Sequence, residues 1–338
     1  MFGKLTWRWF ALPILLALLA GGIYWASNRE AVPERLSLVI PHSIAAGLVY
    51  LAQSQHYFED EGIQISIIEL PLSGEGLERV LNRTANFAFV SETPLVKARF
   101  IRDDFRILAT GFSTSSDVKI IARRDHGIRT AEDLKGKRVG APQGTGPEYY
   151  LASFLLQFGL GLDDVQLVNK NSQDLVGELK SGKLDALAVS QSNALHAAKQ
   201  LGRDGVMLPE GSLYRESYNL ITHQVWLQRH PQQAVALLSA LEKAEQFFFS
   251  HPDEAEALLA HRLHLDRGAF QEARKEGQWA LRLDQSLLVS LEEKARWLQE
   301  RKLAPSGKLP NFLRVMYLPG SPPITCSLMK WKRLSTHV

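Results

Sequence analysis

From residue 36 onward, short runs of β-type residues alternate with amphipathic helical stretches, and this alternation limits the chain more than any other feature. Residues 36–40 read as a strand, 47–57 as a helix, 63–68 as a strand, 76–81 as the end of a helix and 87–90 as a strand. The order restarts after a run at 105–112, with strands expected at 118–122, 138–141, 165–168 and 186–189. Helices are expected between them at 147–158 and 174–179. Such alternation predicts an α/β protein.

The halves also resemble each other. Residues 82–92, Asn-Arg-Thr-Ala-Asn-Phe-Ala-Phe-Val-Ser-Glu, align without gaps with residues 181–191, Ser-Gly-Lys-Leu-Asp-Ala-Leu-Ala-Val-Ser-Gln. Each reads as a helix end, a turn, a buried strand and a polar loop opening the next helix. Two similar lobes are therefore expected in place of one large sheet, with crossings near 115–118 and 209–217. The last third reads as almost wholly helical. One apolar stripe carries Ala234, Leu237, Leu238, Leu241, Ala244 and Phe248; another carries Leu287, Leu288, Leu291, Ala295 and Leu298. Little ordered structure is expected in the tail at 320–338.

Charge and cysteine content narrow the function classes. The net charge is only +3, and Lys330, Lys332 and Arg333 lie in the tail without a neighbouring acid, so the body is balanced and no nucleic-acid surface is indicated. A single cysteine, Cys326, excludes an intramolecular disulfide and a cysteine zinc cluster. Residues 9–28 carry no formal charge, with Lys4 and Arg8 ahead of them and Arg29 and Glu30 cancelling behind. That pattern fits a transmembrane anchor with the body exported, or a cleaved signal. A GxSxG, HExxH or GxxxxGK[ST] motif is absent, and His261 and His264 have no obvious carboxylate partner, so neither catalysis nor a cofactor is expected.

Two blocks carry a family resemblance. The first is the strand at 36–40, then Tyr50-Leu-Ala, then His-Tyr-Phe-Glu-Asp-Glu-Gly-Ile from His56. The second runs from Thr130-Ala-Glu-Asp-Leu-Lys-Gly through Gly144-Thr-Gly-Pro-Glu-Tyr-Tyr to Ser181-Gly-Lys-Leu-Asp-Ala. Over residues 36–319 the chain resembles the periplasmic substrate-binding proteins of the nitrate, sulfonate and taurine ABC transporters, a superfamily shared with hydroxymethylpyrimidine-precursor proteins. It departs from that pattern at residues 82–86, where a Gly and an Asp are usual, and at Ser190, where a large residue is common.

The resemblance implies a two-lobed α/β periplasmic-binding-protein type II fold with a helical C-terminal segment. Lobe 1 would comprise 36–115 plus 217–319 and lobe 2 would comprise 116–209, with 1–31 as anchor or signal. It further implies a small-molecule ligand (sulfonate, nitrate-like anion, pyrimidine or amine), ABC permease and ATPase partners, and an extracytoplasmic location. A membrane-tethered sensor and an enzyme of thiamine-precursor synthesis are the alternatives.

Ligands of open α/β sheets bind beyond the carboxyl ends of the strands, where helix N-termini present free N–H groups. The loops so placed nominate His42, Ser43, Ser73, Gly74, Ser91, Thr93, Gly144, Thr145 and Gly146, with Ser115 at the first crossing and Ser190 at the strand end of the second lobe. Tyr149 and Tyr150 could stack on a planar ligand. Glu92 and Glu148 are expected to oppose a simple inorganic anion and to favour a ligand with a cationic or donor part.

Overall fold

A computed structural model describes residues 35–70, 73–209 and 214–317, with the side chain of Ser73 excluded. The expectations for the N-terminal apolar segment and for the tail at 320–338 fall outside these residues. Among the described residues, no helix is long and apolar enough to cross a membrane.

Two sheets organise the chain. The first is built from β1 (Arg35–Pro41), β2 (Gln64–Leu70), β3 (Phe87–Ser91), β4 (Phe105–Thr114), β10 (Glu216–His223) and β11 (Gly277–Arg282), in the order β11-β4-β10-β3-β1-β2. The second holds β5 (Val118–Arg123), β6 (Arg138–Gly140), β7 (Gln166–Val168), β8 (Ala186–Ser190) and β9 (Gly205–Met207), in the order β7-β6-β8-β5-β9. In the first sheet β1 pairs in parallel with β2 and β3, and in the second β6 pairs in parallel with β7 and β8. The next strand along is antiparallel in each, β10 against β3 and β5 against β8. The chain leaves the first sheet after Thr114 and returns at Glu216, and these two residues face each other in the β4–β10 pairing. The two connectors between sheets therefore meet the first sheet side by side.

Helices cover the sheets as the period-2 alternation of the strands demands. Leu36, Leu38 and Ile40 of β1 pack into one apolar cluster, whereas Val39 packs into another. On β5, Ile120 and Ala122 point into one cluster and Ile121 into the opposite one. In chain order the helices are α1 (Gly47–Ser54), α2 (Tyr57–Asp60), α3 (Ser73–Leu81), α4 (Glu92–Arg99), α5 (Gly146–Gln157), α6 (Ser172–Lys180), α7 (Gln191–Leu201) and α8 (Gln224–Arg229), then α9 (Pro231–Ser250), α10 (Pro252–Arg262), α11 (Arg267–Arg274) and α12 (Gln285–Glu300). Pro231 and Pro252 open α9 and α10, where a missing N–H loses nothing. His56, in the left-handed region, splits the expected helix at 47–57 into α1 and α2.

The repeat seen in sequence has a hydrogen-bonding basis. Asn86 Oδ1 accepts from Ser37 N at 2.8 Å, and the aligned Asp185 Oδ2 accepts from Arg138 N at 2.7 Å. The backbone bonds match as well, with Asn86 N donating to Ser37 O and Asp185 N to Arg138 O. The side chain before each central strand thus locks it to its parallel neighbour. At Asp185, burial opposes ionisation, but the hydrogen bonds from Arg138 and His126 hold the carboxyl well below its ordinary range. The aligned turn residues, Arg83 and Gly182, both take positive φ, 60° and 75°. A side chain in that region is disfavoured by about 1 kcal/mol. Arg83→Gly should therefore stabilise the fold by about 0.5–1 kcal/mol, less a little for the 3.4 Å contact from Arg83 Nε to His223 Nε2. Denaturant midpoints of the two proteins check this, and a lower midpoint for the glycine variant would count against it.

Two strands escape the sequence pattern. All eight residues of β10 are buried, yet Ser217, Asn219 and Thr222 are polar. Their partners are supplied by Glu92, Thr110 and the Asn86 carbonyl. The last third is accordingly not all helix: β11 inserts as an edge strand, and its Trp279 joins the core between Phe112, Phe248 and Phe270.

Candidate functional site

The strand-end loops of the two sheets converge on a seam flanked by α4, α5 and α12. Glu92 opens α4, and its backbone N–H donates to Glu216 Oε1 at 3.0 Å. On α12, Ser290, Lys294 and Trp297, with Arg301 just past its end, recur at intervals of four, three and four residues and so share one face. Each of the four engages the seam. Ser290 donates to Glu92 Oε2; Lys294 Nζ lies 2.6 Å from Glu92 Oε2 and 3.4 Å from Glu216 Oε1; the Trp297 ring meets Tyr149 edge-on at 5.2 Å; Arg301 Nη2 bonds Glu148 Oε1 at 2.9 Å.

The centre of this network is shut off from solvent. Lys294 is 0% exposed and Glu92 and Glu216 are 2% exposed. Ser217 N and Oγ complete Glu92, while the Tyr214 hydroxyl donates to Glu216. The rings of Tyr149 and Tyr214 lie 5.3 and 4.9 Å from the Lys294 ammonium. Burial would lower the Lys294 pKa, but the two carboxylates override it and hold the ammonium above its ordinary value. Burial pushes Glu216 up to about 7, against the pull of Lys294 and with help from Glu92 and Asp117. Asp117, in the first connector, is raised by desolvation and accepts from the Tyr218 hydroxyl at 3.2 Å.

The residues nominated from sequence divide by location. Thr93 is buried at the start of α4. Gly144, at φ 64°, donates its N–H to Glu148 Oε2 at 2.5 Å. Thr145 Oγ1 is turned back to the Pro142 carbonyl at 2.5 Å. Gly146 opens α5 so near to β10 that a Cβ would fall 2.9 Å from Glu216 Oε2. Ser91 pairs across the sheet with Tyr218, and Ser190 pairs with Val118 beside Asp117, accepting from Asn193 Nδ2. These six lie along or next to the seam. Ser73 opens α3 and Gly74 follows it, beside Pro94 of α4. Ser115 reaches Glu276 at 3.4 Å. His42 pairs with Glu69, which Arg262 also binds, and Ser43 caps the short turn at Ala45; both stand just past the carboxyl end of β1, the strand parallel to β3. Tyr149 faces the seam, while Tyr150 lies in the core stacked on Phe154.

Sequence reasoning missed Glu216, Tyr214, Lys294, Trp297 and Arg301. It also assigned Glu92 and Glu148 a repulsive role, whereas each is paired with a cation, Lys294 and Arg301 respectively. Among the described residues there is no cluster of three or more His, Cys, Asp or Glu suited to a metal ion. An open depression of about 670 Å³ lies over β11, but the guanidinium groups of Arg274 and Arg282 on its wall are already paired with Glu256 and Asp284.

Comparison with known proteins gives a consistent picture. A family model described as NMT1/THI5 like matches residues 45–255. A putative aliphatic sulfonates-binding protein of Bacillus subtilis (strain 168) is 23% identical over 274 residues, covering 78% of this chain and 80% of that protein. Among solved structures, the periplasmic aliphatic sulphonate binding protein SsuA from Escherichia coli superposes with a TM-score of 0.70 at 19% identity, covering 90% of this chain and 97% of the other. The alkanesulfonate-binding protein SsuA from Xanthomonas axonopodis pv. citri, bound to MOPS, gives 0.69 at 16% identity, with coverages of 85% and 99%. These likenesses show the α/β periplasmic-binding-protein fold.

Proposed function

The chain belongs to the NMT1/THI5-like family, and from that membership we propose that it is the extracytoplasmic solute-binding component of an ABC importer and not an enzyme. It takes a small organic solute between two lobes, residues 36–115 with 217–319 and residues 116–209, and delivers it to permease and ATPase subunits. The uncharged segment at 9–28 tethers it to the membrane in this reading.

One observation carries the proposal. Loops at the carboxyl ends of strands from both sheets meet beside two short connectors that join the first sheet as neighbours, Thr114 against Glu216. Two bodies joined by adjacent connectors can rock about them, and a ligand gripped by both favours the closed arrangement. The relatives named above, described as sulfonate-binding, support an anionic organic solute as the first class to test.

Thermal unfolding of the full-length protein should shift upward with a bound solute, by about 2.7 kcal/mol of stability at a hundredfold excess over Kd. Mass spectrometry should recover that solute chemically unchanged. Conversion of the solute to a product would instead establish an enzyme.

A further inference from the structure

Buried polar groups are almost always hydrogen-bonded, so a cluster of unpaired ones marks a missing partner. Among the described residues, the Tyr50 hydroxyl, Thr93 Oγ1, Trp297 Nε1 and Arg301 Nε are buried without a hydrogen-bond partner. Tyr50 lies apart, in the core beneath Arg262, and the other three surround one place. Arg301 and Gly144 both bind Glu148, and Trp297 packs on the adjacent Tyr149. Lys97 reaches the same loop, since a Cβ on Gly144 would fall 2.6 Å from its Nζ. Thr93 stands one turn before Lys97 on α4 and therefore on the same face. Its neighbour Glu92 is held by Ser290 and Lys294 of α12.

All three orphaned atoms can donate. Two backbone donors nearby are already used, Glu92 N–H by Glu216 and Gly144 N–H by Glu148. What the seam lacks is an acceptor. Resting on the solute-binding reading above, we infer that α12 completes the ligand site, with Trp297 and Arg301 joining Thr93 to hold a hydrogen-bond acceptor of the solute, such as an oxyanion oxygen. Helix α12 lies outside the residues matched by the family model, 45–255.

Thr93→Val removes one donor while keeping shape, and Trp297→Phe removes the indole N–H together with part of the ring. Replacing an unpaired buried hydroxyl by a methyl leaves the unliganded fold as stable or more so, which a structural hydroxyl would not allow. The full-length chain and both variants are titrated with butane-1-sulfonate, butanoate, butyl phosphate, butylamine and 4-aminopyrimidine, by calorimetry and thermal shift. The expected result is binding of at least one of the three oxyanions, weakened about fivefold to tenfold in each variant, with the unliganded melting temperature of Thr93→Val unchanged or raised. Wild-type affinity in both variants overturns the inference. Binding of only butylamine or 4-aminopyrimidine also overturns it, while leaving the solute-binding reading in place; no binding by any of the five overturns that reading and the inference with it.

Discussion

Lys294→Met should destabilise the protein by about 3–5 kcal/mol, the usual consequence of removing one member of a buried ion pair. Methionine fills a similar volume, so the loss is electrostatic and not a cavity effect. Without the ammonium, Glu92 and Glu216 stand 2% exposed with no cation against them. Ser217, Ser290 and Tyr214 still donate, but neutral donors do not replace a full charge. Adding Glu92→Gln to the Lys294→Met variant should recover part of the loss, because Glu216, already lifted to about 7, takes up a proton once the ammonium is gone and Glu92 is the charge left stranded. Denaturant unfolding at pH 7.5 measures both. A Lys294→Met midpoint equal to that of wild type would mean that water reaches these groups and that the buried network is misplaced.

Much of the framework was legible because it depends on local periodicity. The strand alternation and the repeat at 82–92 and 181–191 reflect contacts made by the strands themselves, down to Asn86 standing where the second sheet has Asp185. The site was less legible. On α12 the apolar stripe Leu287, Leu291, Ala295 and Leu298 is buried as expected. The neighbouring stripe of Ser290, Lys294, Trp297 and Arg301 reads in sequence as a face half turned to water. Lys294 is buried there, and the other three half-buried, only because Glu92 and Glu148 arrive from 202 and 153 residues away to neutralise the two cations. The same holds for β10, where Ser217 and Asn219 hide a central strand from any apolar pattern. Long-range charge compensation leaves no periodic trace.

Stability should also fall as pH rises from about 4.5 to 7, through Glu216. Burial lifts its folded pKa from 4.5 to about 7, so across that window the native carboxyl keeps a proton that the unfolded chain has released. The native state then binds more protons than the unfolded one, and the slope of stability against pH is negative. The stabilisation is complete below pH 4.5 and gone above about 7. A tenfold difference in proton affinity between the folded and unfolded states is worth about 1.4 kcal/mol, so the whole window amounts to roughly 3 kcal/mol. Asp117, raised by desolvation, adds in the same sense. His223, lowered by burial, acts in the opposite sense, because its unfolded form takes up a proton first as pH falls below 6.5. Asp185 stays ionised throughout the window, since its folded pKa lies well below it. Glu216→Gln isolates the one group: with its carbonyl oxygen in the place of Oε1 glutamine still accepts from the Glu92 N–H, its amide nitrogen faces the Tyr214 hydroxyl, which can turn to accept, and it does not titrate. Denaturant midpoints of wild type and Glu216→Gln between pH 4.5 and 8, at constant ionic strength, should therefore diverge as pH rises, with wild type losing ground until about pH 7 and the difference constant beyond. A difference independent of pH would show that Glu216 titrates in the native protein as it does in the unfolded chain.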